Sequence, residues 1–151
     1  MDIQAVILRL GASVLLGGII GWEREAVDKP AGLRTMTMVC VGSTLFTVVS
    51  LELVQVPGAV ESWDPLRVVA AIIQGIGFLG AGTVLRRGET IKGLTTAAAL
   101  WAVTAVGVAV GFGMYMTAAL GTSTILLILR GLRYLYTQRS RQHKNRPDEE
   151  P

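Results

Sequence analysis

The sequence predicts an all-α, polytopic membrane protein of about five transmembrane helices, built on a parallel helix–loop–helix repeat. Three observations lead there. Apolar residues make up 51% of the chain and charged residues only 17%, whereas an ordinary soluble domain carries about 25% charge. The apolar residues also fall into runs close to the roughly 20 residues that one membrane crossing needs. Finally, Ala31-Gly32-Leu33-Arg34-Thr35 returns as Lys92-Gly93-Leu94-Thr95-Thr96 at an offset of 61 residues. Gly21 and Gly82 close the preceding apolar runs at that same offset, which marks a duplicated unit.

The first span is read over residues 3–21, interrupted only by Arg9, and the second over 35–53, uncharged before Glu52. The third, 68–85, has no charge. Residues 94–129 are uncharged over 36 positions, too long for one crossing and long enough for two, with Gly111-Phe112-Gly113 as the turn. Residues 1–137 thus form one transmembrane domain, and the polar segment 138–151 reads as a disordered cytoplasmic tail.

Lys and Arg set the orientation. Five spans put 12 of the 14 basic residues on one side, leaving only Arg67 and the intramembrane Arg9 elsewhere. That side is expected to be cytoplasmic, with the N-terminus outside and the C-terminus inside. Met1-Asp2 is not the basic start of a signal peptide, so the first span is expected to be retained. The net charge of +3 is explained by membrane-edge sorting and attraction to anionic lipid, not by nucleic acid. Cys40 is the only cysteine, so no intrachain disulfide is available.

Gly75-Ile76-Gly77-Phe78-Leu79-Gly80 matches a dinucleotide-binding string, but it lies inside an uncharged membrane run rather than between a strand and a helix. Its glycines, with Gly82, instead invite close helix approach. Span three is therefore read as the crowded central helix, with a break near Gly77 as the alternative. Gly17-x-x-x-Gly21 and Gly107-x-x-x-Gly111 are read as contacts within the monomer, with a homodimer seam as the alternative. Gln74 is the most polar residue of span three.

Glu23 lies at the C-terminal end of span one and Arg34 at the N-terminal end of span two, each unfavourable to the helix dipole. A salt bridge between them would relieve both, with Glu25 and Asp28 as other partners for Arg34 and Arg24 joining the network. Such a corner is either a structural clasp or a partner-sensing site. Thr95 or Thr96 is expected to cap span four. Arg9 is expected to snorkel outward or pair locally, with an anion contact as the alternative. Asp64-Pro65 reads as a helix cap and first turn. Trp22 and Trp63 suit opposite interfaces, while Trp101 reads as deeper packing.

The chain has no nucleotide-binding Lys loop, its one histidine is His143 in the tail, and no carboxylate falls at mid-membrane depth. Glu52, Glu61 and Asp64 gather only at the outer face. No catalytic, cofactor or metal site is therefore expected.

The strings Gly21-Trp22-Glu23-Arg24-Glu25, Ala31-Gly32-Leu33-Arg34-Thr35, Val41-Gly42-Ser43 and Asp64-Pro65-Leu66-Arg67 form part of a larger pattern. The glycine run from Gly75 to Gly82 and Gly93-Leu94-Thr95-Thr96-Ala97-Ala98 through Leu100-Trp101 complete it. In this order the chain resembles the MgtC/SapB family of bacterial inner-membrane proteins over roughly residues 8–115. The resemblance implies a link to magnesium limitation and, in some members, to survival inside host cells. It also implies a non-enzymatic regulator of membrane partners, with ATP synthase a proposed target; an ion transporter or channel is the alternative. The motif positions here include Glu23, Arg24, Gly32, Arg34, Thr35, Asp64, Gly75, Gly77, Gly80, Gly82, Thr95 and Thr96. Longer members add a soluble C-terminal domain, so a short form is expected. The two repeats are unequal, since Thr95 stands where the first copy has Arg34.

Overall fold

The computed structural model describes the backbone of residues 1–55, 64–87 and 90–144, and the side chains among these except 85–87 and 132–144. Five helices follow in order: α1 (Ile3–Glu25), α2 (Leu33–Leu53), α3 (Pro65–Thr83), α4 (Leu94–Gly111) and α5 (Tyr115–Lys144). The first four are long and apolar enough to cross a membrane. The fifth is apolar to Leu129 and basic beyond it. The tail read over 138–151 begins inside α5, which continues to Lys144; Glu61, Trp63 and residues 145–151 lie outside the described residues.

Each helix boundary has a local cause. Asp64 accepts a hydrogen bond from the Leu66 N–H at 2.9 Å, with Pro65 in the first turn, as the sequence predicts. Gly32 and Gly93, the repeated glycines, are the N-caps of α2 and α4. Thr95 and Thr96 do not cap α4. Gly93 adopts φ +96° against the Thr83 carbonyl, a place that excludes any side chain, so the cap precedes both threonines. α4 ends at Gly111, and the chain turns at Gly113, φ +78°, where Gly113 N–H donates to the Val110 carbonyl and Met114 N–H to that of Ala109. A short antiparallel strand pair, β1 (Leu85–Arg87) with β2 (Thr90–Lys92), joins α3 to α4 where the sequence suggested only a charged loop.

The centre of the bundle is the pair α2 and α4, not α3: α4 packs on every other helix and supplies half of the buried core. Lipid tails are as apolar as leucine, so helices associate through close packing and interhelical hydrogen bonds. Gly17 and Gly21 of α1 press on α2 at Cys40 and Leu33, where an added Cβ would stand 2.6 and 2.7 Å from the nearest atoms. From the other side, a Cβ added to Gly107 would strike the Cys40 carbonyl, and one added to Gly111 would stand 2.5 Å from Thr47. Both four-residue glycine spacings are therefore used within the monomer. Thr44 adds a cross-helix hydrogen bond, its hydroxyl donating to the Gly107 carbonyl at 2.8 Å. Ser43, Thr47 and Thr104 donate to carbonyls of their own helices, so these hydroxyls are satisfied inside the core.

α3 is one unbroken helix at the periphery, which corrects both readings of span three. Only Ile76 and Gly80 are buried. A Cβ added to Gly80 would stand 3.6 Å from Ala97, while one added to Gly75, Gly77 or Gly82 would meet nothing within 4 Å. The glycines that suggest crowding leave α3's surface open instead. Between α2 and α3 runs a groove of about 480 Å³, with Gly42, Ser43, Phe46, Ala71, Gly75 and Thr104 in its lining.

These contacts predict opposite signs for one chemical change. Gly107→Ala should destabilise the protein by about 1–3 kcal/mol through overpacking against α2. Gly77→Ala should be neutral or stabilising by roughly 0.5–1 kcal/mol, from helix propensity alone. Thermal unfolding of the two variants in the same detergent measures the contrast.

Candidate functional site

The last turn of α1 carries Glu23 and Arg24 to the end of the bundle that holds the loop at 26–32 and the start of α4. Both side chains are buried, at 3% and 4% exposure. Burying a guanidinium requires partners. Arg24 Nη2 donates to Thr96 Oγ1 at 2.8 Å, and the adjacent Glu23 supplies an attractive negative charge. Arg24 also stands in the last turn of its helix, where the dipole favours a cation. The bond joins the first repeat to the second.

The expected Glu23–Arg34 bridge does not form. Arg34 and Thr35 are exposed at the start of α2, and among the described residues no ion pair involves Arg34. Two local facts explain this. Arg24, in the same helical turn, places a positive charge beside Glu23. The N-terminus of α2 is satisfied by Glu25, whose Oε2 accepts the Leu33 N–H at 2.8 Å. Glu25 thus serves the backbone rather than Arg34. The intervening loop is held in an uncommon conformation, with Asp28 and Ala31 both at positive φ, 52° and 57°.

The structure does not gather all the residues singled out from sequence. Glu23, Arg24 and Thr96 come together, and Thr95 beside them is exposed. On α3, Gly80 is spent on packing, Gly75 lines the groove, and Gln74, Gly77 and Gly82 are exposed. Trp101 is 57% exposed rather than packed in the core. The Arg9 contact is not the expected one. Arg9 Nη1 donates to the Gly111 carbonyl at 2.6 Å, closing the C-terminus of α4. In place of the expected outward snorkelling or local pairing, the partner is a distant helix end, and it is a carbonyl rather than an anion.

Arg9 and Arg24 together grip both ends of α4. They are 15 residues apart on α1, and their acceptors Thr96 and Gly111 are 15 residues apart on α4. At 1.5 Å per residue each separation is about 22 Å, so the antiparallel helices are held in one register. A lone arginine in an apolar run gives no hint of its acceptor, because that acceptor is a backbone carbonyl 102 positions away.

Chemically, this corner holds charges and fixes helices. Among the described residues no three His, Cys, Asp or Glu side chains stand close enough to share a metal ion. Thr96→Val should destabilise the protein by about 1–3 kcal/mol, because a buried guanidinium loses its hydroxyl acceptor. Arg34→Gln should stay within about 0.5 kcal/mol of the parent. Unfolding of both variants in nanodiscs checks this, and a larger loss for Arg34→Gln would restore the clasp.

Comparison with known proteins agrees with this architecture. The MgtC family pattern matches residues 10–138. The chain is 40% identical to the Bacillus subtilis protein SapB over 133 residues, covering 86% of this chain and 56% of SapB. It is 45% identical to the Brucella abortus protein MgtC over 128 residues, covering 83% of this chain and 50% of that protein. It is 41% identical over 130 residues to YhiD of Escherichia coli K12, provisionally named a magnesium transporter, covering 82% and 58%. The chain thus spans about half the length of the curated relatives it matches. No solved structure matches it. The family pattern over residues 10–138 and relatives 40–45% identical across most of this chain show that the chain belongs to the MgtC family.

Proposed function

We propose that this chain is a non-enzymatic regulator in the bacterial plasma membrane, linked to adaptation to low magnesium and acting through helix contacts with membrane partners. A complex such as ATP synthase is a partner of the right kind, and the N-terminus lies outside with the C-terminus in the cytoplasm. One observation carries the reading: α1, α2 and α4 are closed on one another, while α3 leaves most of its surface unused. A regulator that works by contact needs a rigid body with an available helix. The closed core also argues against an ion path between the repeats, because its hydroxyls already hold carbonyls.

The provisional name of YhiD favours a second reading, magnesium or other ion transport. The groove beside α3 is the available space for it, but its lining has no charged residue. A hard cation entering there would find no carboxylate.

Two measurements separate these readings. A deletion strain should lose growth at low magnesium and keep it at high magnesium, and Gly77→Leu should reproduce the loss at normal protein abundance. The purified protein in liposomes should pass no magnesium above background. Robust uptake would overturn the regulatory reading in favour of transport.

A further inference from the structure

We infer that the outward face of α3 pairs with α3 of a second copy of this chain, with Gln74 meeting Gln74 at a two-fold axis. The inference deepens the reading of α3 as the contact helix and rests on it. Gln74 is the tenth of the 19 residues of α3, so it lies at the middle of the crossing. Its side chain is exposed on the monomer and bonds to no described residue. An amide facing hydrocarbon without a partner is costly. It is therefore expected to find a partner across a helix interface.

The surroundings of Gln74 are shaped for a helix. Ala70, Gln74, Gly77 and Ala81 are spaced by four, three and four residues, and all are exposed. That spacing is the seam of a left-handed helix pair, with a single polar residue at a core position that fixes register. The remaining seam residues are small, so two backbones can approach, while Ile73 and Phe78, 44% and 83% exposed, flank them. This face differs from the groove face, where Ala71, Ile72, Gly75 and Leu79 lie.

The choice of occupant follows from hydrogen-bond complementarity. A primary amide carries both a donor and an acceptor, so it matches itself across a two-fold axis. All copies in one membrane share one topology, so α3 meets α3 in parallel and each residue opposes its equivalent. The other paired-glycine faces, on α1 and α4, are already consumed by α2.

Disulfide scanning of the full chain in native membranes tests this, starting from Cys40→Ala. Ala70→Cys, Gly77→Cys and Ala81→Cys should give a cross-linked product of twice the chain mass under mild oxidation. Ile72→Cys and Leu79→Cys, on the groove face, should not. Adding Gln74→Leu to the Gly77→Cys variant should lower the cross-linked fraction about tenfold, and Gln74→Asn should keep most of it. Equal cross-linking on both faces, or no effect of Gln74→Leu, overturns the pairing. A seam product of a different mass overturns self-pairing yet keeps α3 as a contact helix. No cross-link at any seam position, in variants that still melt like the parent, removes both readings.

Discussion

Backbone-to-backbone approach at α2 is the constraint on which the rest of the molecule depends. In a bilayer, removing leucine from lipid and placing it against leucine gains little, so distance between helix axes decides stability. Gly17 and Gly21 on one side, and Gly107 and Gly111 on the other, let α1 and α4 touch α2 where any side chain would collide. Cys40 lies between the two contacts, fully buried. Once α2 is held in this way, its hydroxyls have little access to one another and turn to backbone carbonyls. Thr44 is the exception that reaches across, to Gly107, reinforcing the same approach.

The two arginines of α1 act on this packed body at its ends. Arg9 closes the last carbonyls of α4, and Arg24 holds Thr96 in its first turn. Packed glycines alone allow helices to slide, since small surfaces are similar along their length. Polar contacts a fixed distance apart do not allow it. The arginines thus supply the register that the glycine contacts lack, and they tie the first repeat to the second at both ends. α3 lies outside this arrangement, which is why most of its surface is left open.

The duplication has a structural meaning narrower than its sequence suggests. Its repeated glycines mark equivalent helix starts, yet the two copies pack differently. Gly21 is pressed on Leu33, whereas its counterpart Gly82 has open space around it. The first copy became a tight pair with Glu25 capping α2. The second opens a groove beside α3 and uses a left-handed glycine for its cap. Divergence of the copies separated a structural half from one with surface to spare.

Much of this was legible in the chain itself. Apolar run lengths determined the crossings, because a bilayer imposes one length on every span. Asp64-Pro65 and Gly111-Phe112-Gly113 determined boundaries through local backbone chemistry that needs no distant partner. The motif strings determined the family. Only the tertiary structure decided which glycines are occupied, since a glycine at an interface and one facing open space are the same letter. It placed α2 and α4 rather than α3 at the centre, replaced the expected Glu23–Arg34 bridge by Arg24–Thr96, and assigned Arg9 to a carbonyl. Each of these depends on contacts between residues far apart in the chain, and burial selects among partners that look equivalent by charge alone.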